Sequence, residues 1–272
     1  KIIMEYRKDL SRVYFVNPTR PEVFGKACHK SIADIDDTVD LAVICTPQPT
    51  VIGLLREMHA HGVGAAVVYA SGYSEVGSPE GLANEKELQA LSAELDMPIM
   101  GPNCGGFMNY IDDAYAFAFP GNYGGKKGGI GFVSQSGQFC IDMMNMPELR
   151  FSYSISAGNS RCVQLEDYLD FFVNDPDTTT IAIYLEGLKD PAKFERSLRA
   201  AAEAKKPVIM LKMGRSPKGQ RAAASHTGSM SGADRIYDAV FEKYGVIRVE
   251  DMQDMCSTAA MFGTLKTMPK KA

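Results

Sequence analysis

The stretch that decides the fold is Ile130-Gly-Phe-Val-Ser-Gln-Ser-Gly-Gln-Phe-Cys-Ile-Asp-Met-Met144. Its first half is an apolar run of strand length, Ile130–Ser134. Its second half, Gln138–Met146, has helical patterning that Pro147 cuts off, since proline cannot continue a helix. Between them stand only Ser, Gln, Ser and Gly. A parallel strand running through a tight turn of small residues into a helix is the repeating unit of α/β proteins. Such a turn aims backbone N–H groups at open space, with the positive end of the helix dipole behind them, which suits an anion such as phosphate. Ser136 could equally serve as an ordinary N-cap. Both readings stand on this stretch alone.

The same alternation continues outward in both directions. Strands are expected at Val13–Asn17, Asp40–Cys45, Ala65–Ala70, Pro98–Met100, Ile130–Ser134, Phe151–Ser156, Thr180–Leu185, Val208–Met213 and Val246–Val249. Helices are expected at Thr50–His61, Leu82–Leu95, Gln138–Met146, Leu165–Val173, Pro191–Ala204 and Ala233–Lys243. Continuously apolar strands between amphipathic helices indicate parallel sheets covered on both faces, and right-handed crossovers then favour doubly wound folds. The loop Pro120–Gly129 is too rich in glycine for either element. It divides the chain into an α/β domain at 1–124 and a second at 125–272. The N-terminal segment Lys1–Leu10 reads as a helix entering directly into the strand at Val13. A doubly wound domain needs a central first strand followed by a Gly-rich turn. Both are expected to be missing ahead of Lys1, and further sequence is expected after the Lys-rich end.

Composition narrows the function classes. The chain has 272 residues, 45% hydrophobic and 23% charged, which excludes intrinsic disorder. Its net charge of −4 comes without a basic cluster, so a nucleic-acid footprint is not expected. No apolar run approaches the ~20 residues of a membrane span. With no secretory signal at its start, the chain reads as a soluble cytoplasmic protein. Six dispersed cysteines form no CxxC or zinc pattern and read as reduced thiols. The four histidines include His59 and His61, which at a spacing of two do not share a helix face, so no metal site is expected.

Ligands of α/β sheets bind outside the carboxyl ends of the strands. Four turns there have unusual composition: Thr46-Pro47, Ser71–Glu75, Gly101–Gly106 and Ser134–Gly137. Further along, His226 lies in Arg221-Ala-Ala-Ala-Ser-His-Thr-Gly-Ser229, where small neighbours leave the ring accessible. It reads either as a nitrogen nucleophile or as a surface histidine. Glu186, at the tip of an apolar strand, could hold a histidine Nδ1–H or could be a capping or surface acid. Cys104 reads as a small core residue, with the turn around it the better binding candidate.

Taken in order, Val16-Asn-Pro18, Asp40–Val43, Ser71–Glu75, Gly101–Cys104, Gly131–Gly137, Tyr184–Gly187, Leu211–Ser216 and Ser225–Gly228 carry a resemblance. The chain resembles the CoA-binding, α-subunit-like part of the NDP-forming acyl-CoA synthetases, relatives of succinyl-CoA synthetase and ADP-forming acetyl-CoA synthetase. The resemblance implies a Rossmann-like CoA-binding domain followed by a flavodoxin-like doubly wound domain. It implies an acid–thiol ligase that interconverts acyl-CoA, ADP and phosphate with carboxylic acid, CoA and ATP, through an acyl phosphate and a phosphohistidine. In that scheme His226 is phosphorylated and Glu186 is its carboxylate partner. Ser134, Ser136 and Gly137 cradle phosphate, while Val16, Asn17, Pro18, Thr46, Pro47, Ser71, Gly72 and Asn103 bind coenzyme A. ATP or ADP with Mg²⁺ belongs to an ATP-grasp β-type subunit or fused domain absent from this sequence. A small carboxylic acid is the implied substrate and an oligomer the implied assembly. The other reading is a non-catalytic CoA-binding regulatory module. A dinucleotide-dependent dehydrogenase would need a GxGxxG turn with an acid about 20 residues on, and none is present.

Overall fold

The computed structural model describes residues 2–6, 9–214 and 234–264. After a short helix, α1 (Ile2–Tyr6), come β1 (Phe15–Val16), β2 (Glu22–Val23), β3 (Lys26–His29) and β4 (Leu41–Ile44). They are followed by α2 (Val51–Ala60), β5 (Ala65–Val68), α3 (Pro79–Glu94) and β6 (Ile99–Met100). A hairpin, β7 (Gly106–Asn109) and β8 (Ala114–Phe117), leads to β9 (Lys127–Ser134), α4 (Gly137–Asn145) and β10 (Phe151–Ser156). Then come α5 (Leu165–Asn174), β11 (Thr180–Leu185), α6 (Pro191–Glu203) and β12 (Val208–Lys212). The described chain resumes with α7 (Asp234–Tyr244), β13 (Ile247–Arg248) and α8 (Met252–Thr264).

The larger sheet has the order β13-β12-β11-β9-β10-β7-β8. From β9 to β13 the strands are parallel, and their order in chain sequence is 2-1-3-4-5, the flavodoxin-like arrangement. Alternation along β11 divides the packing between its two faces. Ile181, Ile183 and Leu185 meet α5, α6 and α7 through Leu169, Phe172, Phe194, Leu198 and Phe241. Ala182 and Tyr184 face the other way, toward Met143 of α4 and Met255 and Ala259 of α8. Side chains of successive strand residues point to opposite faces, so a strand apolar at every position must be covered twice. Helix ends follow their caps. Asp190 accepts the N–H of Lys193 at 2.9 Å ahead of Pro191, and α4 stops at Met146 before Pro147.

The N-terminal domain holds β4, β5 and β6 in a parallel sheet, packed on α2 and α3 through Leu55, Val68, Leu88, Leu91 and Ile99. β1, β3 and β2 form a separate sheet. β1 and β4 are not paired with each other. Sheet membership changes before the Gly-rich loop: β7 pairs antiparallel with β10, so residues 106–117, ahead of the expected division at 124, extend the second sheet. Val67, Met100 and Cys104 share a buried cluster with Leu165 and Leu169, so the two sheets meet across apolar surface.

Gly106 is the hinge of this change. Its φ is +89°, and a Cβ there would stand 1.9 Å from the carbonyl oxygen of Ala116 on the paired strand. Gly125 has φ +67° but nothing within 4 Å. Gly106→Ala is therefore expected to lower stability by about 3 kcal/mol or more, strain and overpacking acting together. Gly125→Ala should cost only about 1–2 kcal/mol, the penalty of left-handed backbone alone. Urea unfolding of both variants checks the difference.

Candidate functional site

β9 continues through α4 to β10 on one side, while β11 lies against its other side. The chain connections therefore leave β9 and β11 in opposite directions, opening a crevice at their carboxyl ends. Two of the motifs singled out in the sequence meet there. Ser134 pairs in register with Tyr184, which brings the Ser-Gln-Ser-Gly turn beside Glu186 and Gly187.

Gln135 joins them. Its side chain is 5% exposed, and its Oε1 accepts the N–H of Glu186 at 2.7 Å and of Gly187 at 3.1 Å. Its Nε2 donates to the carbonyl oxygen of Gly187 at 3.0 Å, and its backbone N–H donates to Tyr184 O at 3.3 Å. One primary amide thus satisfies two donors and an acceptor of a strand end lying just beyond its ladder. From the opposite side Lys212, at the end of β12, donates to the carbonyl oxygens of Glu186 and Met213. Its ammonium stands 4.8 Å from the centre of the Tyr237 ring, and burial lowers its pKa. Glu186 itself is 8% exposed.

The serines divide their work. Ser134 is fully buried; its hydroxyl donates to Ser136 O at 2.7 Å and accepts the Ser136 N–H at 3.1 Å. It shapes the turn from beneath. Ser136 is the N-cap of α4, accepting the N–H of Phe139 at 3.3 Å, so the capping reading holds. Ser136 and Gly137 also line a cavity of about 420 Å³, together with Gln135, Asn103, Gly105, Ser156, Tyr69 and Phe119. The first turn of α4 carries no acidic residue, so its positive dipole end is not offset by a carboxylate of its own. The Phe119 ring edge lies 3.7 Å from where a Gly137 Cβ would be. Cys104 forms part of the wall, 6% exposed, with burial pushing its thiol up to about 12. It is a protonated core thiol at neutral pH, as read from the sequence.

A second cavity of about 590 Å³ opens at the carboxyl ends of β4 and β5. Thr46, Pro47 and Ser71 line it, with Cys45, Gln48, Pro49, Tyr69 and Ala70. Tyr69 is a wall of both cavities. Gly72 approaches Gln48 at the same rim. The hydroxyls of Thr46 and Ser71 beside two rigid prolines offer hydrogen bonds and apolar contact together, a donor set that fits the chemistry of coenzyme A. Val16, Asn17 and Pro18 line neither cavity. Asn17 instead folds its own turn, its Oδ1 accepting from the Thr19 N–H at 3.1 Å and the Arg20 N–H at 2.9 Å. His226 lies outside the described residues.

Sequence reading missed Gln135, Tyr69, Phe119 and Lys212. Gln135 stood between two singled-out serines, and its position one residue past a parallel strand was the available signal. Tyr69 and Lys212 were hidden inside apolar runs. Among the described residues no cluster of His, Cys, Asp and Glu could hold a metal, and no helix is long and apolar enough to cross a membrane.

Replacing Gln135 with Leu removes all three side-chain hydrogen bonds at nearly constant volume and leaves buried backbone groups unsatisfied. A loss of about 2–4 kcal/mol is expected. Hydrogen exchange should rise most at the amides of Glu186 and Gly187; unchanged protection there would show that the clamp is not what holds the turn.

Comparison with known proteins matches this architecture. Residues 127–262 match the succinyl-CoA ligase like flavodoxin domain, and residues 1–110 match a CoA binding domain. The chain is 38% identical, over 98% of its length, to an ADP-forming acetate–CoA ligase of Methanocaldococcus jannaschii, of which it covers 37%. It is 37% identical to the α subunit of ADP-forming acetate–CoA ligase II of Pyrococcus furiosus, aligning over 96% of this chain and 56% of that subunit. Among solved structures, acetyl-coenzyme A synthetase 1 of Ca. Korarchaeum cryptofilum, in complex with phosphate and ADP, superposes with a TM-score of 0.84 at 33% identity. That match covers 96% of this chain and 57% of the other. The chain thus spans between about a third and somewhat over half of these relatives. It belongs to the NDP-forming acyl-CoA synthetase family, of which it is the CoA-binding, α-subunit-like part.

Proposed function

We propose that this chain supplies the acyl-transfer and phosphoryl-transfer half of an NDP-forming acyl-CoA synthetase, working with an ATP-grasp subunit or fused domain. The observation that carries the reading is the crevice between β9 and β11, where Gln135 holds the Glu186 turn against the start of α4. Relatives named as ADP-forming acetate–CoA ligases support the reaction class, and the α-subunit relative supports a partner subunit.

In the direction of ATP formation, a phosphate oxygen attacks the thioester carbonyl carbon. The C–S bond breaks, and the thiolate leaves as CoA after taking a proton. The acyl phosphate that results passes its phosphoryl group to a ring nitrogen of His226, the P–O bond breaking to release the carboxylate. Phosphohistidine then phosphorylates ADP on the ATP-grasp unit, with Mg²⁺ held there. In this scheme the Ser136 and Gly137 end of α4 faces the phosphate. It is an oriented, partly desolvated dipole that needs no reorganisation as charge develops. Glu186 holds the imidazole Nδ1–H, keeps the other nitrogen free to attack, and stabilises the cation formed. Thr46, Pro47, Ser71 and Gly72 receive CoA at the second cavity and Asn103 contacts it from the wall of the first, with Tyr69 between the two. Val16, Asn17 and Pro18 would complete that site from the separate β1 sheet.

Incubation of the chain with an ATP-grasp partner, Mg²⁺ and γ-labelled ATP should yield acid-labile label on His226. Absence of label with intact CoA binding would instead favour a CoA-binding regulatory module. His226→Asn is expected to abolish turnover while leaving CoA affinity nearly unchanged. Glu186→Gln should slow phosphorylation by about 10²–10⁴-fold, the range of a lost acid–base partner. Rapid-quench measurement of label transfer checks both; a Glu186→Gln variant as fast as wild type removes that residue from the mechanism.

A further inference from the structure

A second buried amide, outside the crevice, ties the two domains together. Asn159 follows β10 and is 4% exposed. Its backbone N–H donates to Pro102 O at 3.0 Å, and its Oδ1 accepts from Asn103 Nδ2 at 3.2 Å. Its Nδ2 reaches across to the N-terminal domain, donating to Glu75 Oε2 at 2.7 Å and Glu85 Oε1 at 3.0 Å, with Ser74 Oγ at 3.3 Å. The other oxygen of Glu75 accepts the N–H of Gly72 at 2.7 Å and of Tyr73 at 3.2 Å. Glu85 also accepts the Ser74 hydroxyl at 2.6 Å, and Arg161 Nε stands 3.8 Å from its second oxygen.

The chemistry of this cluster admits one orientation. Turned over, the Asn159 amide would present its oxygen to two carboxylates and lose both charge-assisted hydrogen bonds. Asn159 is thus a two-proton bridge between two carboxylates. One of those carboxylates sets the backbone of the Gly72 turn. The shape of that turn therefore depends on a side chain delivered by the other domain.

We infer that Asn159 is a positioning residue for CoA: through Glu75 it imposes on the Ser71–Glu75 loop the conformation that receives the ligand. The inference rests on the proposed role of Ser71 and Gly72, and it adds that the CoA site is complete only when the domain bearing α4 is docked. Asn159 touches no reacting atom; it acts through Glu75 and, by its Oδ1, through Asn103.

The test uses the complete enzyme, this chain with its ATP-grasp unit, and follows KM for CoA, KM for ATP, kcat and thermal midpoint. Asn159→Asp is isosteric but turns the bridge into a third carboxylate. KM for CoA should rise about tenfold or more, the scale of losing a charge-assisted hydrogen bond, with KM for ATP unchanged. Glu75→Gln should raise KM for CoA as well, because two donors then face each other. In the variant carrying both Glu75→Gln and Asn159→Asp, the amide of residue 75 donates to the new carboxylate, so that contact is matched again while the Glu85 contact is not, and KM for CoA should fall below that of Asn159→Asp alone. Should Asn159→Asp not fold, Asn159→Ala, which adds no charge, carries the same expectation for KM. A lowered thermal midpoint with KM for CoA unmoved would overturn the inference, as would additive effects in the double variant. Wild-type enzyme that fails to saturate with CoA would instead remove the functional reading beneath it.

Discussion

Two peptide N–H groups and a carbonyl at the end of β11 have nowhere to go in the sheet, and the side chain of Gln135 receives all three. Much of the site follows from that constraint. Parallel strands end where their ladders end, and a buried strand end must be satisfied by something other than another strand. A primary amide meets the demand because its oxygen accepts from both N–H groups while its NH2 donates to the carbonyl. Because Gln135 also stands one residue ahead of the α4 cap, the bonds that satisfy β11 fix the distance between the Glu186 tip and the helix dipole. Lys212 closes the same turn from β12. The position of a carboxylate relative to an anion-favouring helix end is in this way a by-product of backbone satisfaction.

The interface between the domains has a related logic with different groups. Apolar contact through Val67, Met100 and Leu165 brings the sheets together without specifying direction. Direction comes from the polar cluster around Asn159, whose partners must be donors or acceptors in fixed places. Gly158 permits the approach: a Cβ there would stand 2.4 Å from Asn103 O. Tyr69, common to the walls of both cavities, lies where the two halves meet, so the distance between a ligand in one cavity and a ligand in the other is set by the docking of the sheets.

The strands that sequence reading placed well are those buried on both faces. Thr180–Leu185 and Phe151–Ser156 occur as expected, because an apolar run with turn residues at each end has few other uses. What escaped was half-covered or weakly patterned. β3, Lys-Ala-Cys-His, exposes its first two residues, and the β7–β8 hairpin follows a Gly-rich turn and alternates small with aromatic residues. Helix α8 mixes Met, Cys, Ala and polar residues around its circumference, so its period is blurred although Met255, Cys256 and Ala259 are buried. In the candidate site the residues at strand-to-helix turns were legible. Ser136, Gly137 and Asn103 line one cavity, and Thr46, Pro47 and Ser71 the other. The residues that link those turns were not, for Gln135 and Asn159 act on partners 51 and 56 or more positions away.

By itself, then, the order of residues determined the alternation of doubly buried strands with helices, the doubly wound character of the fold and the family to which the chain belongs. These depend on local pattern: periodicity, turn composition and the spacing of motifs along one dimension. Which strand lies beside which, and so which turn faces which, was decided only in three dimensions. The carboxyl end of β9 meets that of β11 because buried backbone groups and apolar faces are satisfied together in the 2-1-3-4-5 order. Packing closes distances that sequence separation leaves open, and the hydrogen bonds of Gln135 and Asn159 come into being only once it has done so.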